Sequence, residues 1–471
     1  MHVSSSPKDS LGTMDAIETA ERIGAGEISA EQAISAAIER LRLVEPQLNA
    51  IVCERFDQAL VQARALPARQ RPLPFSGVPC LIKDNTSLAG LPTRHGSRGT
   101  PPAAAVSDDE ITRCFLSTGL IPIAKTALPE FGLTATTERS HGAPTHNPWN
   151  TAYSCGGSSG GSAALVAAGV VPVAHANDGG GSIRIPAACC GVVGLKPSRH
   201  RLPTLAVADK MPINLLAEGL VSRTVRDTAA FYAGAEQHCP ASGLPAIGNV
   251  EAAGQQRLRI ALCTEHPAGG DCDPQVIAAV EEAARVCEQL GHKVEEISSP
   301  VPPQMPDDFL LYWARMAASI NYMGRLAFGP DFNRRQLEPL TYQLSRHYMS
   351  RMWRSPRAIG RLRKFASDYQ GLFDQYDLFL TPVLATPPAE LGFLGPDLDF
   401  DTVAGRLRNY AAFTPAQNVS GTPAISLPLG RSSQGLPIGV QFAAGMGQER
   451  RLLEIAFELE LAMPWSYPAA A

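Results

Sequence analysis

The segment running from Cys155 to Pro197, CGGSSGGSAALVAAGVVPVAHANDGGGSIRIPAACCGVVGLKP, limits this chain more than any other stretch. Two glycine-serine knots are joined there by an apolar run. Glycines carry no Cβ and reach positive φ easily, so successive backbone amides at a knot can converge on one bound group. Residues 161–168 read as a helix opening directly after the first knot. Residues 170–176 read as a buried strand entering the second. Strand, glycine turn and helix in this order belong to an α/β core.

Other segments repeat that alternation. GVPCLIKD and LIPIAKT read as short strands around the helix-like DEITRCFLSTG. RLRIALCTEH, DPQVIAAVEEAARVCEQLG and HKVEEI form a further strand–helix–strand unit. In it Asp273 caps the helix, Pro274 takes the first helical position and Gly291 ends it. Residues 14–65 read as helical, with Ser29 and Gln32 set for a capping box. Residues 305–376 are aromatic, Arg-rich and mostly helical. YDLFLTP, PAISLPLG and PIGVQFAA return to strand, and RRLLEIAFELELA closes the chain as a helix. The reading is a single domain over 1–471. It has an N-terminal helical segment (1–70), a catalytic core (75–235), a covering lobe with pocket loops (240–400) and a C-terminal α/β return (401–471). The Pro-rich stretch 382–396 is expected to be a surface loop near the site.

With 45% hydrophobic and 18% charged residues the composition is that of a soluble globular protein. A net charge of −4 gives no general attraction to nucleic acid or to an anionic membrane. The N-terminus lacks an apolar core of signal-peptide length, and no window approaches a membrane span. The ten cysteines form no CxxC pair and are too dilute for a disulfide framework. They read as buried thiols of a reducing compartment, so the expected location is cytoplasmic.

Three segments carry chemistry. Ser182 follows Gly179, Gly180 and Gly181, an arrangement that can aim backbone N–H groups at a developing oxyanion. By itself GGGS equally suits a flexible turn. The knot Gly156-Gly157-Ser158-Ser159-Gly160-Gly161-Ser162 by itself could hold a phosphate at a helix N-terminus, but it fits neither standard nucleotide motif. Lys83 closes a buried strand. It either pairs with Asp84 or is desolvated into a base competent near neutral pH. Asp178 and Arg184 flank the serine loop and suit a buried ion pair bracing it.

Together these segments resemble the amidase signature family. The likeness runs through GVPCLIKD, the glycine knots, GSIRIPAACCGVVGLKP, EGLVSRTVRD, NVSGTPAISLPLG and GLPIGVQ. It implies an α/β fold with one large mixed twisted sheet covered by helices on both faces. It makes Ser182 the nucleophile, Ser158 a bridging serine on a cis peptide bond and Lys83 the base. The amides of Gly179, Gly180, Gly181 and Ser182 form the oxyanion hole, and Ser159, Asp178 and Arg184 support the site. The implied reaction is amide hydrolysis through an acyl-enzyme. It needs no histidine, metal or cofactor.

Within the family, AHANDGGGS and TATTERSHGAPTHNPWN resemble the branch that includes the 6-aminohexanoate cyclic dimer hydrolases. Thr136 and Asn177 are the substrate-binding residues this likeness suggests. The chain departs from the branch at Gly179-Gly180. A helix bearing Phe309, Tyr312, Trp313 and Met316 suits an apolar acyl or aryl pocket, or equally core packing. The expected partner is a small amide or carbamate, with a homodimer left open. Hydrolysis of a carbamate or aryl ester by the same relay is the alternative function. The glutamine-amidase subunit of a tRNA-dependent amidotransferase fits less well, because it shows MGSSTENS where this chain has LTATTERS. A silent binding protein on this scaffold would not need Lys83, Ser158 and Ser182.

Overall fold

Strands β1 (Ile51–Glu54), β2 (Pro79–Lys83) and β3 (Ile121–Thr126) form a small sheet in the order β1-β3-β2. Strands β4 (Val173–Asp178), β5 (Val193–Lys196), β6 (Ala217–Ser222), β7 (Arg259–Leu262), β8 (Lys293–Glu296), β9 (Leu378–Pro382), β10 (Ala424–Arg431) and β11 (Pro437–Ala444) form a large one. Its order is β4-β6-β5-β10-β11-β9-β7-β8. This computed structural model describes residues 1–5, 8–66 and 73–468. The large sheet is mixed. β7 runs parallel to β8 and β9, as a strand–helix–strand unit requires. Its other pairs are antiparallel. No helix among the described residues is long and apolar enough to cross a membrane.

Strand period two sorts the sheet's faces. Leu195, Ile425, Leu427, Val440 and Phe442 join one core with Val276, Val280 and Ala283 of helix Pro274–Gln289 and Leu452, Leu453 and Ala456 of helix Glu449–Ala462. On the other face the short helix Arg184–Cys190 lies almost on the backbone. A methyl at Gly439 would sit 2.3 Å from the Ala188 Cβ, and one at Gly194 would sit 2.6 Å from the Ala187 Cβ. These two glycines therefore set how deep the helix sinks. Its first residue, Arg184, is wholly buried as a result.

The N-terminal region departs from the helical reading. Helices Ala16–Ala25, Ala30–Leu48 and Phe56–Arg64 form, with the expected Ser29–Gln32 capping box. Between the last two, however, Ile51–Glu54 pairs with β3 as an edge strand. Four residues are too few for periodicity to reveal, and a long-range ladder decides their conformation. Residues 67–70 of that segment lie outside the described residues.

Candidate active site

Three element ends meet above the sheet. β2 delivers Lys83, the first knot opens helix Gly160–Ala167, and β4 ends at Asp178 before the second knot. The Lys83 amine is fully buried. It lies 2.8 Å from Ser158 Oγ, 2.8 Å from Ser159 Oγ and 2.6 Å from Asn177 Oδ1. Burial lowers its pKa to about 7, against the opposing charges of Glu218 and Asp178. Asp84 takes no part, because its carboxylate binds Lys125 at 2.8 Å.

Hydrogen-bond accounting orients this cluster. Asn177 Oδ1 can only accept, so Lys83 donates to it. Ser159 Oγ gives its proton to the Asn177 carbonyl at 3.2 Å, so it accepts from Lys83 as well. A neutral amine then has its lone pair left for the Ser158 hydroxyl. Asn177, read from sequence as a substrate contact, is a partner of the lysine here. Thr136 also differs from that reading. Its hydroxyl donates to Glu138 at 2.6 Å and lies 2.9 Å from Ser154 Oγ, away from open space. Its backbone matters instead, since a methyl at Gly157 would lie 2.5 Å from the Thr136 carbonyl oxygen.

The Gly157–Ser158 peptide is cis. Ser182 is held beside it, its carbonyl accepting from Ser159 N–H at 3.3 Å. The structure thus joins Lys83, Ser158 and Ser159 directly. Ser182 Oγ makes no hydrogen bond among the described residues. It lines an apolar cavity of about 260 Å³ together with Gly157, Gly180, Leu133, Ile185, Phe309 and Trp313.

The glycine loop is fixed from both sides. Gly181 N–H donates to Asp178 Oδ1 at 2.7 Å, and the Gly180 carbonyl accepts from Thr414 Oγ1 at 2.7 Å. This corrects the four-amide oxyanion hole, because the Gly181 donor is already engaged. The amides of Gly179, Gly180 and Ser182 have no internal acceptor among the described residues. At Gly181 φ is +129° and a methyl would meet Thr414 Oγ1 at 2.3 Å, so only glycine fits.

Arg184 and Asp178 form the expected pair, both oxygens engaged at 2.9 Å. Arg184 also donates to Gln417 and Gln441 at 2.8 Å each and to Asn418 at 2.7 Å. All five guanidinium N–H groups are thereby used, leaving none for a substrate. Burial alone would raise the Asp178 carboxyl, but Arg184 holds it well below the usual carboxylate range. Sequence reasoning missed Thr414, Gln417, Asn418 and Gln441 as site residues. The signal was present, since Asn418 opens NVSGTPAISLPLG and Gln441 ends GLPIGVQ.

Two further expectations divide. Of the four residues on helix Met305–Phe328, Phe309 and Trp313 line the cavity. Tyr312 instead binds the Ile213 backbone, and Met316 packs against a core cluster. The stretch 382–396 does not line the cavity. Val383, Leu384 and Leu394 pack behind Ile185 and Cys189, and Gly392 N–H donates to Glu138 at 2.8 Å. Cys189 is buried and pushed up to about 12, so it is an inert thiol rather than a nucleophile.

Known proteins are similar to this chain in sequence and fold. A Mycobacterium leprae (strain TN) protein named "Putative amidase AmiC" is 48% identical over 459 residues, 97% of each chain. The structure of a 6-aminohexanoate cyclic dimer hydrolase complexed with substrate superposes with a TM-score of 0.88 at 31% identity, covering 96% of this chain and 98% of that one. A bacterial aryl acylamidase of the amidase signature enzymes superposes with a TM-score of 0.85 at 28% identity, covering 97% and 99%. The Amidase family model matches residues 32–453, and the chain belongs to the amidase signature family of hydrolases, which act on carbon–nitrogen bonds other than peptide bonds.

Proposed function

We propose that the protein hydrolyses a small neutral amide through an acyl-enzyme on Ser182, with Ser158 and Lys83 moving the proton. The observation that carries this reading is the buried Lys83 amine, whose spare lone pair faces the Ser158 hydroxyl. Neutral Lys83 takes the Ser158 proton as Ser158 takes that of Ser182. Ser182 Oγ then bonds to the amide carbon, whose oxygen becomes an anion. The free N–H groups of Gly179, Gly180 and Ser182 are the donors available to it. As the C–N bond breaks, the proton returns through Ser158 to the departing nitrogen, and an amine leaves. Water, deprotonated by the same pair, releases the acid. The Ser158–Ser182 link closes by rotation of a hydroxyl-bearing side chain when substrate seats. The relatives named for a cyclic dimer and for aryl acyl amides support a small-amide substrate.

The test is a panel of p-nitroanilides, a cyclic amide, an aryl carbamate and glutamine, assayed beside Ser182→Ala. Amide turnover that vanishes in the variant supports the relay, and turnover that survives removes Ser182 from it. The pH profile follows from Lys83. Its neutral form is the working base, so kcat/KM is expected to rise about tenfold per pH unit below the lysine pKa and to level above it. The inflection is expected at about 7. Lys196, also lowered to about 7 by burial and by Arg184, binds only the Pro197 carbonyl among the described residues. Lys196→Met should therefore keep the inflection. A limb that moves with Lys196 instead would exclude Lys83 as its source.

A further inference from the structure

Building on the amidase reading above, we infer that the cavity selects an uncharged, planar aromatic group attached to the scissile amide. The stacked side chains of Phe309 and Trp313 recognise it, and they reach the serine loop because residues 179 and 180 are glycines.

The geometry starts at the loop. Phe309 and Trp313 stack with ring centroids 5.6 Å apart and planes 22° from parallel. A methyl at Gly180 would lie 3.1 Å from Phe309 Cζ, and one at Gly179 would lie 3.2 Å from Trp313 Cη2 and 3.0 Å from Leu216 Cδ2. Each is tighter than ordinary carbon contact, so a side chain at either position would push the rings back. With glycine at both, the aromatic wall lies against the backbone that leads to Ser182. Phe309, Trp313, Gly180 and Ser182 all face the same cavity.

The wall offers no polar handle. The Trp313 indole N–H is spent on the Leu133 carbonyl at 3.1 Å, which also fixes the ring plane. What remains toward the cavity is π surface, which favours another flat ring in offset contact. Charge is excluded by a second feature. Asp307 and Arg408 are the ionisable side chains lining the cavity among the described residues, and they bind each other at 2.5 Å. They are 65% and 40% exposed, which places them where water reaches. A substrate ammonium or carboxylate would lose hydration on entry and find no free partner. That disfavours glutamine and linear aminocarboxylic oligomers, and it favours an aryl amide. The ring can sit on the acyl carbon or on the nitrogen, and the test separates the two.

Binding to Ser182→Ala, measured by calorimetry, reads the wall without needing turnover. Benzamide against cyclohexanecarboxamide probes a ring on the acyl side, and acetanilide against N-cyclohexylacetamide probes the amine side. We expect the flat member of one pair to bind roughly tenfold tighter, and Phe309→Leu in the same background to erase that preference. The pair that shows it identifies the side. Equal affinity within both pairs, or a preference that survives Phe309→Leu, overturns the inference. The amidase reading fails separately. A wild-type protein that turns over no amide, and whose Ser182 is not labelled by a small phosphonyl fluoride, sinks the relay whatever the binding ratios are.

Discussion

Lys83→Met is expected to lower kcat/KM for every amide substrate by about four orders of magnitude, the scale seen when one member of a proton-relay triad is removed. Methionine fills the buried volume but neither accepts the Ser158 proton nor returns it. The variant should still fold, because replacing a buried amine with an apolar chain removes a desolvation cost. Its orphaned neighbours, Ser159 and Asn177, retain their mutual hydrogen bonds. Two readouts separate chemistry from collapse. Circular dichroism and the thermal transition should stay close to wild type, and the pH limb near neutrality should disappear. A variant with kcat/KM within tenfold of wild type would end the lysine's role as base.

Arg184→Met is expected to destabilise the protein by about 3–5 kcal/mol, the usual cost of leaving one partner of a buried ion pair alone. Asp178 would remain fully buried without its guanidinium, and Gln417, Gln441 and Asn418 would each lose a donor. Denaturation in urea reads this as a fall in midpoint, with far weaker soluble expression as the cruder sign. Combining it with Asp178→Asn should recover part of the loss, because the uncompensated charge is then gone. A double variant as unstable as the sum of the two single variants would show that the pair is not coupled. Activity should fall as well, since Asp178 holds the Gly181 amide and so the shape of the serine loop.

Local motifs were legible in the sequence because they are local. The glycine knots, the small-residue helix and the lysine at a strand end are each visible within a few residues, and the structure brings Lys83, Ser158 and Ser159 together. The α/β character was also legible, from alternating short apolar runs and capped helices. What escaped were features set by distant partners. Thr136 looks like a ligand contact in sequence, but Glu138 and Ser154 claim its hydroxyl. The Gly181 amide is consumed by an acid three residues earlier, a turn geometry that composition does not encode. Gln417, Asn418 and Gln441 reach Arg184 across separations of 233 to 257 residues, where no periodicity operates. The strand Ile51–Glu54 failed for the same reason on a smaller scale.

Strand order has a consequence for how the enzyme comes into being. β10 and β11 occupy the middle of the large sheet, between β5 on one side and β9 on the other. Both are translated after every other strand of that sheet. Until that hairpin emerges, the left and right halves of the sheet have no shared edge, and Arg184 waits for Gln417, Asn418 and Gln441. Contacts of such separation form slowly. A polypeptide stalled before residue 441 thus carries its serines and its lysine but not the frame that aligns them. On the proposed relay, a copy truncated before that residue is expected to show no amide turnover.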